Sequence, residues 1–185
     1  MQPIMTPILY DGLLLRAYDD ADLPAVLAAG RESVETVGRW MPWCHAAYAE
    51  SDVRGWFENC RTELAAGTAH EFGVFSQADG AFLGAAGLNL INQQNRYCNL
   101  GYWVRQSAQR QGVAVRSVLA LLPYAFNTLG LQRVEIVVAQ GNLASEGVAR
   151  KAGAQFECLA RNRLYLHGQA VPASVFSLVP ESIQE

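Results

Sequence analysis

The segment from Arg96 to Ala139 constrains the fold more than any other. Arg96 to Val104 reads as a strand, Arg105 to Gln111 as a polar loop, and Gly112 precedes a helix with Val115, Val118, Leu119, Leu122, Phe126 and Leu129 at helical spacing. Pro123 lies inside that helix and predicts a kink. Gly130 ends it, and Arg133 to Ala139 is again a strand. Two strands joined by a helical crossover lie parallel in one sheet.

Elements on either side alternate in the same way. Leu13 to Tyr18 is a strand. Asp19, Asp20 and Asp22 suit a helix N-terminus, with Pro24 in the first turn and Gly30 as the stop after about Ala29. Residues 31–50 carry no clear element, and Pro42 interrupts them between Trp40 and Trp43. Ser51 is placed to cap a helix reaching about Ala66, with Gly67 as its stop. His70 to Ser76, Ala81 to Leu90 and Arg96 to Val104 form an antiparallel meander, turned first at Asp79-Gly80 and then at Asn92 to Asn95. After the crossover, Asn142 to Ala152 is a helix stopped by Gly153. Two strands, about 154–166 and 171–179, follow with a turn around Gly168. The alternation predicts a mixed α/β (α+β) domain.

Composition narrows the function classes. The chain has 185 residues, 51% hydrophobic and 17% charged, the latter below the average of about 25%. It can build one core and leave apolar surface for a ligand or partner, a homodimer among them. A net charge of -3 gives no broad basic field, so nucleic acid is not an expected partner. No stretch approaches the ~20 apolar residues of a membrane span, and the N-terminus lacks the pattern of a secretory signal. Cys44, Cys60, Cys98 and Cys158 are scattered without a C-x-x-C pair. They predict buried free thiols in a reducing cytoplasm rather than disulfides or a zinc site, and no metal is expected.

Chemistry concentrates at Gln109-Arg110-Gln111-Gly112-Val113-Ala114, where a strand end passes into a helix start. A helix start leaves backbone N–H groups unpaired and favours an anion. Gly112 and Ala114 allow close backbone approach, and Arg110 adds positive charge. The segment suits a pyrophosphate. It is neither a dinucleotide fingerprint, lacking the further glycines, nor a P-loop, lacking Gly-Lys-Ser/Thr.

These six residues match Q/R-x-x-G-x-G/A, the pyrophosphate loop of the GNAT superfamily of N-acetyltransferases. Leu100-Gly101-Tyr102-Trp103-Val104 resembles the preceding strand in the ribosomal-protein branch typified by RimJ and RimL. Asn142-Leu143-Ala144-Ser145 resembles that branch's N-x-x-S motif, followed by the stretch at 149–156. Trp40-Met41-Pro42-Trp43 resembles its W-hydrophobic-P-W segment. The resemblance covers about residues 10–180, taken as one domain with short tails at 1–9 and 181–185.

The resemblance implies a central, mixed and strongly twisted sheet of about seven strands flanked by about four helices. Two parallel strands splay to form an acetyl-CoA cleft, ending here near Val104 and Ala139. The pantetheine pairs with the freed backbone groups, the pyrophosphate rests on residues 110–114, and a backbone N–H near Trp103 or Val104 polarises the acetyl carbonyl. Asn142 would bond the pantetheine, besides being a good N-cap. Ser145 would sit near the sulfur and protonate the leaving thiolate. Glu71 is the first candidate for the base that takes the amine proton, against the plain alternative of a solvent-facing strand residue. Spacing favours none of His45, His70 and His167, and Tyr97 and Tyr102 are taken as core or cleft-wall aromatics. Trp40 and Trp43 either wall the acceptor pocket or pack a loop onto the core. Pro172 replaces an Asp that the branch often carries, which leaves a turn or contact there open.

The implied activity is direct transfer of acetyl from acetyl-CoA to a primary amine, with a protein or peptide N-terminal α-amine as the leading acceptor. A polyamine, aminoglycoside or amino acid acceptor, and a non-catalytic acetyl-CoA-binding module, remain as alternatives.

Overall fold

The computed structural model describes residues 5–180. Of the expected tails, residues 1–4 and 181–185 lie outside the described residues. Eight strands form one sheet: β1 Ile8–Tyr10, β2 Leu13–Arg16, β3 His70–Ser76, β4 Phe82–Asn92, β5 Tyr97–Val104, β6 Arg133–Ala139, β7 Gln155–Leu166 and β8 Gln169–Leu178. Their order in space is β1-β2-β3-β4-β5-β6-β8-β7. Four helices flank them: α1 Leu23–Glu32, α2 Glu50–Ala66, α3 Val113–Pro123 and α4 Leu143–Lys151.

The strand beyond the expected seven is β1. It pairs with β2 as Ile8↔Leu15, Leu9↔Leu14 and Tyr10↔Leu13, so Ile8 and Leu9 belong to the sheet rather than a tail. The cause is local. Asp11 and Gly12, with φ of 43° and 79°, make a two-residue hairpin turn of the kind read at Asp79-Gly80.

Among the described residues the only parallel neighbours are β5 and β6, as the crossover requires. Their ladder is short: Tyr97↔Arg133, Cys98↔Val134 and Asn99↔Glu135. Beyond it β5 follows β4 as far as Gly84↔Val104, and β6 follows β8 as far as Ala139↔Ala173. Each strand keeps its outer partner and loses the inner one, so a wedge opens between Leu100–Val104 and Ile136–Ala139.

Helices cover both faces of the sheet. The α3 and α4 side buries Leu15, Phe72, Leu88, Leu100, Leu121, Ile136 and Phe176 in one core. The α1 and α2 side buries Val26, Tyr48, Val53, Phe57, Phe75 and Phe82 in a second. The strand period of two divides the residues between them: Phe72, Leu88 and Leu100 go to the first, while Trp103 packs against the second.

Four local expectations are corrected. The first helix passes Gly30 and ends at Glu32, because Gly30 is a point of close approach where a Cβ would strike the Tyr48 ring. The second starts at Glu50, one residue before the expected cap, because Asp52 turns back to accept the Ala49 N–H at 2.8 Å. Pro123 closes α3, and the chain continues as a π-helical turn over Tyr124–Thr128 that absorbs its missing N–H. The cysteines are all free, but only Cys44 and Cys98 are buried; Cys158 lies exposed on the edge strand β7. Pro172 costs the sheet little, since β6 has ended opposite Ala173 and β7 bulges between Ala160 and Leu164.

Candidate active site

The six-residue loop lies at the mouth of the β5/β6 wedge. Gly112 is left-handed at φ 75°, and no side chain caps α3. Arg110 is also left-handed, at φ 63°. A backbone alternating in hand turns successive N–H groups towards one concavity, the geometry of an anion nest. The loop's other side chains serve its own scaffold. Gln109 donates to the Val104 carbonyl at 3.0 Å and to Thr36 Oγ1 at 3.2 Å, and Gln111 donates to the Ser107 carbonyl. Arg116 donates to the carbonyls of Asp11 and Gln111. Val113 is buried, whereas Arg110, Gln111 and Gly112 are exposed.

The loop is anchored to the end of α1. Arg105 makes a two-pronged ion pair with Glu32, at 2.9 and 2.6 Å, and Glu32 also accepts from Ser107 N and Oγ. The Arg105 guanidinium and the Ser107 bonds hold the Glu32 carboxyl down at about 2, against some desolvation.

Across the wedge, Asn142 caps α4 by accepting the Ser145 N–H at 3.2 Å. Ser145 does not bond its own helix through its hydroxyl. Its Oγ lies 2.9 Å from the Tyr102 hydroxyl, which also reaches the Ser145 carbonyl at 3.1 Å. Burial pushes the Tyr102 phenol up to about 12, so it keeps its proton at neutral pH. When that proton goes to Ser145 Oγ, the serine's own O–H is free to point into the wedge.

Glu71 is built in by register. It stands opposite Gly87 on β4, and Gly87 stands opposite Gly101 on β5. A Cβ on Gly87 would collide with the Glu71 carboxylate, so the glycine provides the space the carboxylate lies in. Asn89 donates to Glu71 Oε1 at 3.0 Å, and Asn99 donates to Asn89 at 2.8 Å. Glu71 is only 8% exposed and has no ion-pair partner among the described residues. Desolvation raises its pKa; the Asn89 bond opposes this, and Glu63 adds to it. A buried, unpaired carboxylate with a raised pKa is a base suited to near-neutral chemistry.

A cavity of about 620 Å³ surrounds Glu71 and reaches Tyr102 and Trp103 on β5. Trp43 lines it, with its ring 5.1 Å from that of Trp103. Trp40 does not share that place: it lies under Arg39 and against Gly141, in the turn before α4. Of the histidines, only His45 lines the cavity. The His70 ring faces away and bonds the Tyr124 hydroxyl at 2.9 Å, and burial lowers its pKa. His167 meets the Arg39 carbonyl at 3.2 Å from the β7–β8 turn. Among the described residues no cluster of His, Cys, Asp and Glu is arranged to hold a metal.

The family model described as the acetyltransferase (GNAT) domain matches residues 12–155. The chain belongs to the GNAT acetyltransferase family. It is 29% identical to a Bacillus subtilis protein named "Putative ribosomal N-acetyltransferase YdaF", over 80% of each chain. It is 26% identical to another N-acetyltransferase of that organism, YoaA, over 95% of this chain and 98% of the relative. Its fold matches the ribosomal L7/L12 α-N-acetyltransferase RimL, solved with coenzyme A, at a TM-score of 0.87. That match has 22% identity and covers 96% and 99% of the two chains. The protein is an N-acetyltransferase with a GNAT fold, and one of its relatives is named as a ribosomal N-acetyltransferase. No helix among the described residues is long and apolar enough to cross a membrane.

Within this GNAT domain, the expected loop, cap and hydroxyl gather at the wedge, and Glu71 and Trp43 gather in the adjoining cavity. Sequence reasoning undervalued Tyr102, which links the two, and passed over Asn89, which orients Glu71. The available signal was register: Asn89 and Tyr102 fall on β4 and β5 within two rows of Glu71.

Proposed function

We propose that this enzyme binds acetyl-CoA in the β5/β6 wedge and transfers the acetyl group directly to a primary amine held in the Glu71 cavity, a protein or peptide N-terminal α-amine in particular. The reading rests above all on one observation. The cavity containing Glu71 also reaches Tyr102, whose hydroxyl holds Ser145 on the far side of the wedge.

The pyrophosphate rests on the backbone of residues 110–114, with Arg110 nearby and Gln109 and Gln111 shaping the loop. The pantetheine arm pairs with the freed edge of β5 and with Asn142. A backbone N–H at Trp103 or Val104 polarises the acetyl carbonyl. Glu71 takes a proton from the amine, directly or through water, and the nitrogen attacks the thioester carbon. As the tetrahedral intermediate collapses, the C–S bond breaks and Ser145 Oγ gives a proton to the sulfur, with Tyr102 supporting the serine. No covalent enzyme intermediate is needed, since the thioester arrives activated. Free thiols on all four cysteines fit a cytoplasmic setting.

The test is thiol release from acetyl-CoA with peptides bearing free N-termini, compared in wild type and Ser145→Ala. Wild type should turn over, and Ser145→Ala should lower kcat about tenfold with little change in acetyl-CoA affinity. Equal rates across pH in the two proteins would remove Ser145 as the acid. Absence of turnover with any amine would remove the reading.

A further inference from the structure

The lining of the Glu71 cavity says more about the acceptor, given the acetyl-transfer reading above. Six tyrosine and tryptophan residues line it: Tyr18, Trp43, Tyr48, Trp56, Tyr102 and Trp103. Three of them form a connected wall, with Trp43 touching Trp103 edge-on at 5.1 Å and Tyr48 at 5.4 Å. A cavity of about 620 Å³ falls within the range of about 300–1,000 Å³ that holds whole small molecules. A serine or alanine side chain would leave most of that wall facing water.

The charges in the lining have one sign. Asp52 and Glu71 are its acids, His45 is its one imidazole, and among the described residues no Lys or Arg lines it, although the chain has 14 of them. A carboxylate or phosphate carried in beside the amine would meet two acids and the electron-rich faces of the rings. It would lose its hydration with no cation to replace it. An ammonium group meets ring faces and carboxylates, both of which favour it, before it gives up its proton.

We propose that the acceptor is a primary amine carried on an aromatic-sized apolar body, with no carboxylate or phosphate beside the amine. An aromatic monoamine and a peptide whose first residue is aromatic share this chemistry, and the test separates them. Free amino acids and nucleotide-linked amines are rejected on charge. Peptides beginning with serine or alanine are disfavoured because they leave the wall unfilled.

The experiment uses matched pairs with the full-length enzyme and acetyl-CoA: tryptamine against tryptophan, phenethylamine against phenylalanine, and C-terminally amidated peptides with Trp or Ser first. Binding of each is read separately, by calorimetry. The amine should exceed its amino acid in kcat/KM by about 100-fold, and Trp-first should exceed Ser-first by about tenfold. Trp43→Arg places a cation at a partly exposed edge of the wall, where folding should tolerate it, and should narrow the tryptamine-to-tryptophan ratio at least about tenfold. Comparable rates for tryptamine and tryptophan, or a faster Ser-first peptide, overturn the proposal. So does a lack of both binding and turnover with the aromatic amines. Binding of tryptamine but not tryptophan, with no turnover on any amine, would uphold the lining inference and remove the transfer reading instead.

Discussion

The loop at residues 109–114 and the Glu71 cavity flank the same strand, β5, and are built on opposite principles. The loop works through main chain. Its glutamines and Arg116 are turned inward to hold carbonyls, leaving left-handed Gly112 and uncapped N–H groups to face a ligand. The cavity works through side chains. There the main chain is ordinary antiparallel ladder, and the chemistry depends on a carboxylate lying over Gly87 and a wall of aromatic rings. A backbone site depends on a few residues adjacent in sequence. A side-chain site draws on α1, α2, β3, β4 and β5 together, so it depends on residues far apart in sequence.

The largest expected effect breaks the loop. Gly112→Asp puts a side chain at a φ that costs an L-residue roughly 1–2 kcal/mol, and adds a negative charge where a pyrophosphate would rest. Affinity for coenzyme A should fall by more than about 100-fold by calorimetry, with the far-ultraviolet spectrum of the fold retained. Retained affinity would mean that the anion site lies elsewhere. Amine binding in the cavity should be unaffected, which is the sharper half of the comparison.

Glu71→Gln breaks the cavity in the complementary way. It should lower kcat by about 100-fold to 1,000-fold, with little change in coenzyme A affinity. The pH profile gives the sign. Glu71 has a raised pKa, so the wild-type rate should climb as pH rises through that value, and the climb should vanish in Glu71→Gln. Stability should move the opposite way. A carboxyl whose folded pKa lies above its unfolded value holds more protons when folded, so it stabilises the fold below the unfolded pKa and loses that contribution as pH rises through the folded one. At pH 7 to 8 the glutamine variant should therefore melt at a higher temperature than wild type while being the slower enzyme. A lower melting temperature there would mean that the carboxylate is needed for structure.

The same contrast explains what the sequence made legible. Crossover, meander and loop follow from periodicity and punctuation over short spans, and Asp79-Gly80, Gly112 and Asn142 play the local parts expected of them. The first hairpin was equally local and was missed because three residues is a short strand, although Asp11-Gly12 carries the turn signal. Gly30 shows the reverse problem. As a single letter it looks like a helix stop, and only Tyr48, eighteen residues on, reveals that it serves packing. Glu71 could be singled out as a carboxylate on a strand, but its solvent-facing alternative was excluded only by register against Gly87 and Asn89. Trp40 and Trp43 are three residues apart in a segment without a period, so nothing local could say that one lines the cavity and the other packs beside α4.

The smallest expected effect concerns the joint between the two regions, where Glu32 at the end of α1 ties the loop after β5 to the helix flanking the cavity. The pair is partly exposed, so Glu32→Gln should cost only about 1 kcal/mol at pH 7. Here the carboxyl is held down, at about 2 against an ordinary 4.5. Its contribution is thus fully present above the ordinary value and is lost as pH falls from there towards about 2. Melting curves of wild type and Glu32→Gln should differ at pH 7 and converge as acid is added through that window. Weakening the anchor should also raise the KM for acetyl-CoA a few-fold while the tryptamine-to-tryptophan preference holds, since Arg105 and Ser107 support the loop and not the aromatic wall. A change in that preference instead would show that loop and cavity are one mechanical unit, and that their separation by building principle does not carry over to function.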